Sequence, residues 1–305
     1  MSILIDEQTT MIVQGITGRE AASFTKDSLD YGARIVGGVT PGKGGQEVFG
    51  LPVTDTVKEL TERFSVDATV ISVPPPFVKD AAFEAVENGI KLLLIVTERV
   101  PRRDVVEIVE LCRLRGARLV GPNSLGIISP GKTRLGMVGG PAADVRKTYT
   151  AGPVGVMSRS GGMTTEIANL LTVNGLGQST CVSVGGDPIV GSQFADLLPD
   201  FEEDPETEAL VLFTEPGGGM EAALADRLRR QPARLPIFIF IAGKFVDEMR
   251  GVRFGHAATL VSSEADTTEA KARILSEAGV EIVENLSDLP RMVRAALRAE
   301  GEGSA

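Results

Sequence analysis

The chain reads as an α/β protein of two consecutive three-layer domains, and three observations predict this. Short runs of Val, Ile and Leu alternate with amphipathic stretches along all 305 residues. The runs are continuously apolar rather than alternating, as strands buried on both faces of a parallel sheet are. The 35 glycines cluster where those runs end, at the edge where an open α/β sheet holds its ligands.

The first half supplies five strands. They run from Met11 to Val13, Arg34 to Val36, Ala68 to Val73, Leu92 to Val96 and Arg118 to Val120. A helix follows the first strand as far as Tyr31, and special loops follow each strand: Gly15 to Glu20, Gly37 to Gly45, Pro74 to Pro76, Thr97-Glu98, and Gly121-Pro122-Asn123. A Gly/Pro-rich connection is expected from Ser129 to about Gly152, so the domains are expected over 1–145 and 146–305. The second half restarts the alternation, with strands at Val154–Met157, Thr180–Val184, Ala209–Phe213, Ile237–Ile241 and Glu281–Val283. One helix begins at Ser160 and buries Met163, Ile167, Leu170 and Leu171. A last helix is capped by Ser287, with Leu289, Met292, Val293, Ala296 and Leu297 on one face and a frayed tail from Glu300.

Composition narrows the function. Hydrophobic residues make up 43% and charged residues 24%, a soluble globular balance. The net charge of −10 weighs against nucleic acid. No apolar run is long enough to span a membrane, and Met1 to Glu7 lacks the basic start of a secretory leader, so a cytoplasmic protein is expected. Cys112 and Cys181 fit no metal-ligand spacing and sit in apolar surroundings, as reduced core thiols do. No metal site is expected.

Six stretches could carry chemistry. Gly15-Ile16-Thr17-Gly18 at a strand-to-helix turn leaves amides free to face a pyrophosphate. It departs from the dinucleotide pattern, because Ala21 replaces a third glycine and no acidic residue closes the second strand. Lys43 suits a ligand carrying extra negative charge, or is a solvated lysine. Ser160, Gly161 and Gly162 at a helix start form an anion cradle, or a plain N-cap. Glu215 is a carboxylate at the same edge, or a solvated loop residue, and Gly185 to Pro188 lie beside it. His256 is the only imidazole in the chain, set between Gly255 and two alanines. It is a surface histidine or a nucleophile that works at neutral pH.

Together these loops resemble the alpha subunit of the succinyl-CoA synthetase family, the NDP-forming acyl-CoA ligases. The resemblance covers nearly the whole chain. It rests on GGVTPGKGG (37–45), Gly121-Pro122-Asn123, SRSG (158–161), GGDP (185–188) and Gly255-His256-Ala257. It implies a Rossmann-like CoA-binding domain followed by a flavodoxin-like ligase domain. Coenzyme A would contact Thr17, Gly18, Arg19, Glu20, Lys43, Val73, Pro74, Pro75, Val96, Thr97 and Glu98. His256 would carry the phosphoryl group with Glu215 orienting its ring. Asn123, Ser158, Ser160, Gly161 and Gly162 would bind phosphate or acid.

The family also implies a partner, an ATP-grasp beta subunit holding ATP or GTP with Mg²⁺, in an αβ or α2β2 assembly. No nucleoside-triphosphate loop is found in this chain, in keeping with that dependence. Departures fall beside the expected acyl site: Gly162 replaces a threonine, Ser124 a cysteine, and Lys244 to Phe254 a basic segment. Succinate is therefore the default acid, with malate or citrate as alternatives. A non-catalytic CoA-sensing relative and an NAD-dependent dehydrogenase are the rivals outside the class.

Overall fold

The computed structural model describes residues 2–245 and 264–303. Every strand read from the sequence is present. The first sheet contains β1 (Thr10–Gln14), β2 (Arg34–Val39), β3 (Glu47–Val48), β4 (Leu51–Thr54), β5 (Ala68–Ile71), β6 (Leu92–Ile95) and β7 (Arg118–Val120). Helices α1 (Arg19–Tyr31), α2 (Val57–Thr61), α3 (Val78–Glu87) and α4 (Arg102–Arg115) connect them. The spatial order is β3-β4-β2-β1-β5-β6-β7, parallel throughout except for the β3–β4 hairpin at the edge. The order reverses between β1 and β5, the Rossmann arrangement, and an open sheet holds its ligand at that reversal. All residues of β1, β5 and β6 are buried, which is why these strands read as unbroken apolar runs.

The second sheet contains β8 (Gly126–Ser129), β9 (Thr133–Gly136), β10 (Ala151–Ser158), β11 (Gln178–Ser183), β12 (Ala209–Thr214), β13 (Ile237–Ile241) and β14 (Glu281–Val283). Its helices are α5 (Ala142–Thr148), α6 (Gly161–Val173), α7 (Phe194–Glu203), α8 (Met220–Arg230), α9 (Thr268–Glu277) and α10 (Leu289–Gly303). The order is β14-β13-β12-β10-β11-β8-β9. Strands β10 to β14 are parallel and flavodoxin-like, with the reversal between β10 and β12.

Two expectations need correction. The stretch from 129 to 152 is structured rather than a plain connection. The antiparallel hairpin β8–β9 begins at Gly126 and pairs with β11 through Ile127 and Ile128, so the chain changes sheets between Val120 and Gly126. Its strands are four residues long and bounded by glycines, which hides them from periodicity. Gly126 has φ +127°, and a Cβ there would overlap the Leu135 carbonyl of the paired strand. At the other end, Ser287 lies in a 3₁₀ turn (Leu286–Asp288) ahead of α10, and the helix runs on to Gly303 instead of fraying at Glu300. Its expected apolar face is correct: Leu289 and Val293 are buried, and Met292, Ala296 and Leu297 pack against the same cluster.

The two sheets share one continuous core running from Ile3 through Val184 to Val280. Arg134 on β9 is its largest fully buried side chain. Its guanidinium donates to Ser28 Oγ on α1 (3.2 Å) and to the carbonyls of Val138 (3.2 Å) and Gly140 (2.5 Å). It also lies 5.9 Å from the Tyr31 ring centroid. Burial lowers its pKa from the ordinary arginine value. Cys112 and Cys181 are buried as expected, and burial pushes the Cys112 thiol up to about 11. Truncating Arg134 to Ala orphans two buried acceptors and one half-buried one, and opens a cavity. It should cost about 3 kcal/mol in urea unfolding, and a loss below about 1 kcal/mol would contradict this role.

Candidate active site

A cleft of about 570 Å³ opens at the carboxyl ends of β1, β2 and β5, where the first sheet reverses. Thr17, Gly18, Val73 and Pro74, all expected from the sequence, line it. Thr40 and Pro41, from the expected Gly37–Gly45 loop, also line it, as do Phe77, Asp80 and Glu84, which were not foreseen. Phe77 is 60% exposed at the rim, an apolar plane facing solvent. Gly15 makes the floor possible. Its φ is +86°, and any Cβ would strike the Ser72 carbonyl. Gly18 caps α1 without a side-chain bond, which leaves the helix start to backbone amides, and Arg19 and Glu20 sit exposed in its first turn. An anionic, partly apolar ligand fits such a place. Thr40 ties the rim together, its hydroxyl accepting from Thr17 Oγ1 at 3.2 Å and donating to its neighbour's carbonyl, Val39, at 2.8 Å.

The Lys43 loop is exposed yet pinned. One carboxylate oxygen of Asp55 accepts the amides of Gly42 (2.7 Å), Lys43 (3.1 Å) and Gly44 (2.9 Å). The Lys43 amide also approaches the Thr40 carbonyl at 3.0 Å. Asp55 was missed in the sequence, because its twelve-residue separation from Lys43 closes only through β3 and β4.

The loops after β5, β6 and β7 are joined by hydrogen bonds. Thr97 Oγ1 donates to the Val73 carbonyl at 2.8 Å, and the Asn123 amide donates to the Thr97 carbonyl at 3.0 Å. Asn123 then reaches the second sheet: its side chain donates to Asp187 at 3.1 Å, and its carbonyl accepts from Gly186 at 3.2 Å. Val96 is half-buried beside Thr97, while Glu98 is exposed and lies 3.6 Å from Arg99. Pro75 opens the 3₁₀ turn Pro75–Phe77 and is half-buried. Ser124 is buried, and its hydroxyl donates to the Ser183 carbonyl at 2.5 Å.

At the reversal of the second sheet, β10 ends in the serine loop and β12 in the Glu215 loop. Ser160 is the N-cap of α6, accepting from the Met163 amide at 3.4 Å. Ser158 is fully buried, and its hydroxyl is used within the turn, donating to the Ser160 carbonyl (2.6 Å) and accepting from the Ser160 amide (3.0 Å). It shapes the cradle rather than facing into it. Gly161 is obligatory on packing grounds, since a Cβ there would overlap Leu125. Gly162 is exposed, and a Cβ there would meet nothing closer than Ser160 Oγ at 4.0 Å. A larger residue is therefore sterically allowed.

Glu215 is half-buried, and its loop hangs on a buried ionic cluster that the sequence reading did not find. Arg159 Nη1 donates to the carbonyls of Glu215 (3.1 Å) and Gly217 (2.9 Å). Lys271 Nζ on α9 donates to the same two carbonyls (2.9 and 2.5 Å) and to Glu221 (2.7 Å). Glu221 on α8 also lies 3.7 Å from Arg159 and accepts from the Thr214 hydroxyl. Arg159 belonged to the SRSG signal, but nothing in the sequence joined it to residues 62 and 112 positions away. His256, the expected nucleophile, lies outside the described residues.

Known proteins share this layout. Residues 6–99 match the family model described as a CoA binding domain, and residues 157–285 the model described as CoA-ligase. The chain is 43% identical to a succinate–CoA ligase [ADP-forming] subunit alpha of Methanothermobacter thermautotrophicus, over 97% of both chains. It is 41% identical to the malate–CoA ligase subunit alpha of Methylorubrum extorquens, over 92% of this chain and 94% of that one. A solved ATP citrate lyase from Methanothrix soehngenii superposes with a TM-score of 0.90 at 24% identity, over 98% of this chain. The present chain spans 52% of that longer protein, and at this identity the likeness speaks to the fold alone.

The pinned loop gives a direct test. Lys43→Ala removes the only side-chain cation of the Gly37–Gly45 loop and should weaken CoA binding about tenfold or more by calorimetry. Asp55→Ala leaves Lys43 in place but frees its loop, and should weaken binding about threefold to tenfold. Unchanged affinity in both variants would detach this loop from the CoA site.

Proposed function

The chain belongs to the NDP-forming CoA ligase alpha-subunit family, and from that premise we propose that it is the CoA-binding, phosphoryl-carrying subunit of a succinate–CoA ligase. A beta partner of ATP-grasp fold holds the nucleotide and Mg²⁺. The observation that carries this reading is the pairing of two reversal-point sites in one chain. The apolar, glycine-floored cleft serves CoA, and the α6 N-terminus beside the Glu215 loop serves phosphate. Hydrogen bonds join Val73 to Thr97, Thr97 to Asn123, and Asn123 to Gly186 and Asp187 in the loop after β11, the strand beside β10.

The steps follow from that division. The imidazole of His256 attacks the γ-phosphorus of the partner's nucleotide, and the nucleoside diphosphate leaves. The phosphoryl group then passes to a carboxylate oxygen of the acid, restoring the imidazole. The CoA thiol, losing its proton, attacks the acyl carbon of that mixed anhydride and expels inorganic phosphate. Each phosphoryl transfer needs charge stabilised more than bonds made, which suits amides fixed at a helix start. Ser160, Gly161 and Gly162 supply that cradle, and the α6 dipole adds to it. The Glu215 carboxylate holds the imidazole ring in one tautomer and supports its positive charge. Lys43, Thr17 and the α1 start hold the CoA phosphates, while Val73, Pro74 and Pro75 bound the cleft. Asn123, at the junction of the two sheets, orients the acid.

Succinate is the proposed acid. Gly162, which leaves open space at the start of α6, is compatible with a larger or hydroxylated acid, and malate is the second reading on that ground. The test of the whole reading is phosphorylation. With its beta partner, Mg²⁺ and labelled ATP, the chain should acquire one acid-labile, base-stable phosphate at its single histidine. His256→Asn should abolish both label and ligation, and Glu215→Gln should slow labelling about tenfold or more without abolishing it. Full ligase activity in His256→Asn would refute the reading.

A further inference from the structure

The buried cluster behind the Glu215 loop is unusual in its balance. Two cationic side chains, Arg159 and Lys271, share one carboxylate, Glu221, and all three are at most 2% exposed. Burying charged side chains is expensive unless their donors are matched by acceptors. The surplus donors are directed at two main-chain carbonyls, those of Glu215 and Gly217, and each carbonyl receives both cations. Pro216 between them has no amide, so the segment has one internal donor fewer with which to satisfy itself. Gly217 and Gly218 follow with φ of +79° and +72°, a left-handed pair that has little intrinsic preference to hold one shape.

From this we propose that Glu221, Lys271 and Arg159 are positioning residues that fix the Glu215 loop against the α6 N-terminus. The cluster joins four segments around that loop. Arg159 immediately precedes the N-cap Ser160, Thr214 ends β12, Glu221 lies in the first turn of α8, and Lys271 reaches in from α9. Glu221 sets the geometry by holding both cations. With the carboxylate absent, Lys271 and Arg159 repel each other across the same two carbonyls, and the loop loses its single arrangement. The inference rests on the proposed role of Glu215, but part of its test does not.

The experiment uses the full αβ complex with Lys271→Met, Lys271→Arg and Glu221→Gln, where the Gln variant guards against a Met variant that does not fold. Three quantities are read: phosphohistidine formation, hydrogen exchange of amides 214–219, and CoA affinity. In Lys271→Met and Glu221→Gln, labelling should fall about tenfold or more, with nucleotide KM unchanged. Exchange at 214–219 should rise by a similar factor, while CoA affinity stays within about twofold. Lys271→Arg, which keeps the charge and donors, should recover most of both losses. Wild-type rates and exchange in the first two variants would overturn the proposal. So would parallel loss of CoA binding, which marks general destabilisation. If the wild-type complex forms no phosphohistidine, the functional reading fails, while the exchange data still decide whether this cluster holds the loop.

Discussion

The close approach of two sheet edges governs this molecule. The Gly121 amide donates to the Val184 carbonyl at 3.3 Å, and the Gly191 amide donates to the Gly121 carbonyl at 2.9 Å. The end of β7 in the first sheet is thereby clasped to the end of β11 in the second. Neither glycine at the crossing tolerates a side chain. A Cβ on Gly121 (φ +93°) would strike the Ile95 carbonyl, and one on Gly185 (φ +112°) the Pro122 carbonyl. Because both backbones are bare there, the carboxyl edges of two independent parallel sheets can face one another. The loop after β7 and the loop after β11 then meet, with Asn123 bonded to both Gly186 and Asp187. Separate α/β domains would each have a reversal point but no reason to cooperate.

The same logic explains how much could be read without coordinates. Buried parallel strands announce themselves as apolar runs such as Leu92 to Ile95 and Ala209 to Thr214, although their spatial order does not. Loops after such strands lie at the edge where open α/β sheets hold ligands, so the loops at Thr17, Thr97, Asn123 and Ser160 stand out by position, while the roles expected of Val73, Thr97 and Asn123 come from the family resemblance. The hairpin β8–β9 could not, since each strand is four residues long and its ends are glycines. The ionic cluster was hidden for a different reason. Glu221 and Lys271 lie on amphipathic helices where charged residues usually face water, and only the packing of α8 on α9 turns them inward. Asp55 escaped likewise, because an exposed acidic residue near a turn has many ordinary uses.

Electrostatics divides the two halves of the site. In the first sheet the features proposed to meet an anion are surface features: an exposed lysine and a loop whose amides are held by one carboxylate. Such contacts are screened by salt and are worth modest amounts individually. In the second sheet the charges are buried and act through carbonyls on a loop rather than on a ligand directly. A preorganised arrangement of that kind costs stability in the resting protein and repays it when charge moves during reaction. Reversible binding of a large cofactor suits the first arrangement, and transfer of a phosphoryl group suits the second.

The most direct measurement is isotope exchange between ADP and ATP in the αβ complex with Mg²⁺, with neither acid nor CoA present. A phosphoryl group carried on the chain itself makes this exchange independent of both, so steady exchange that vanishes in His256→Asn is expected. Exchange that begins only when acid and CoA are both supplied would contradict a covalent carrier and require direct transfer from nucleotide to acid.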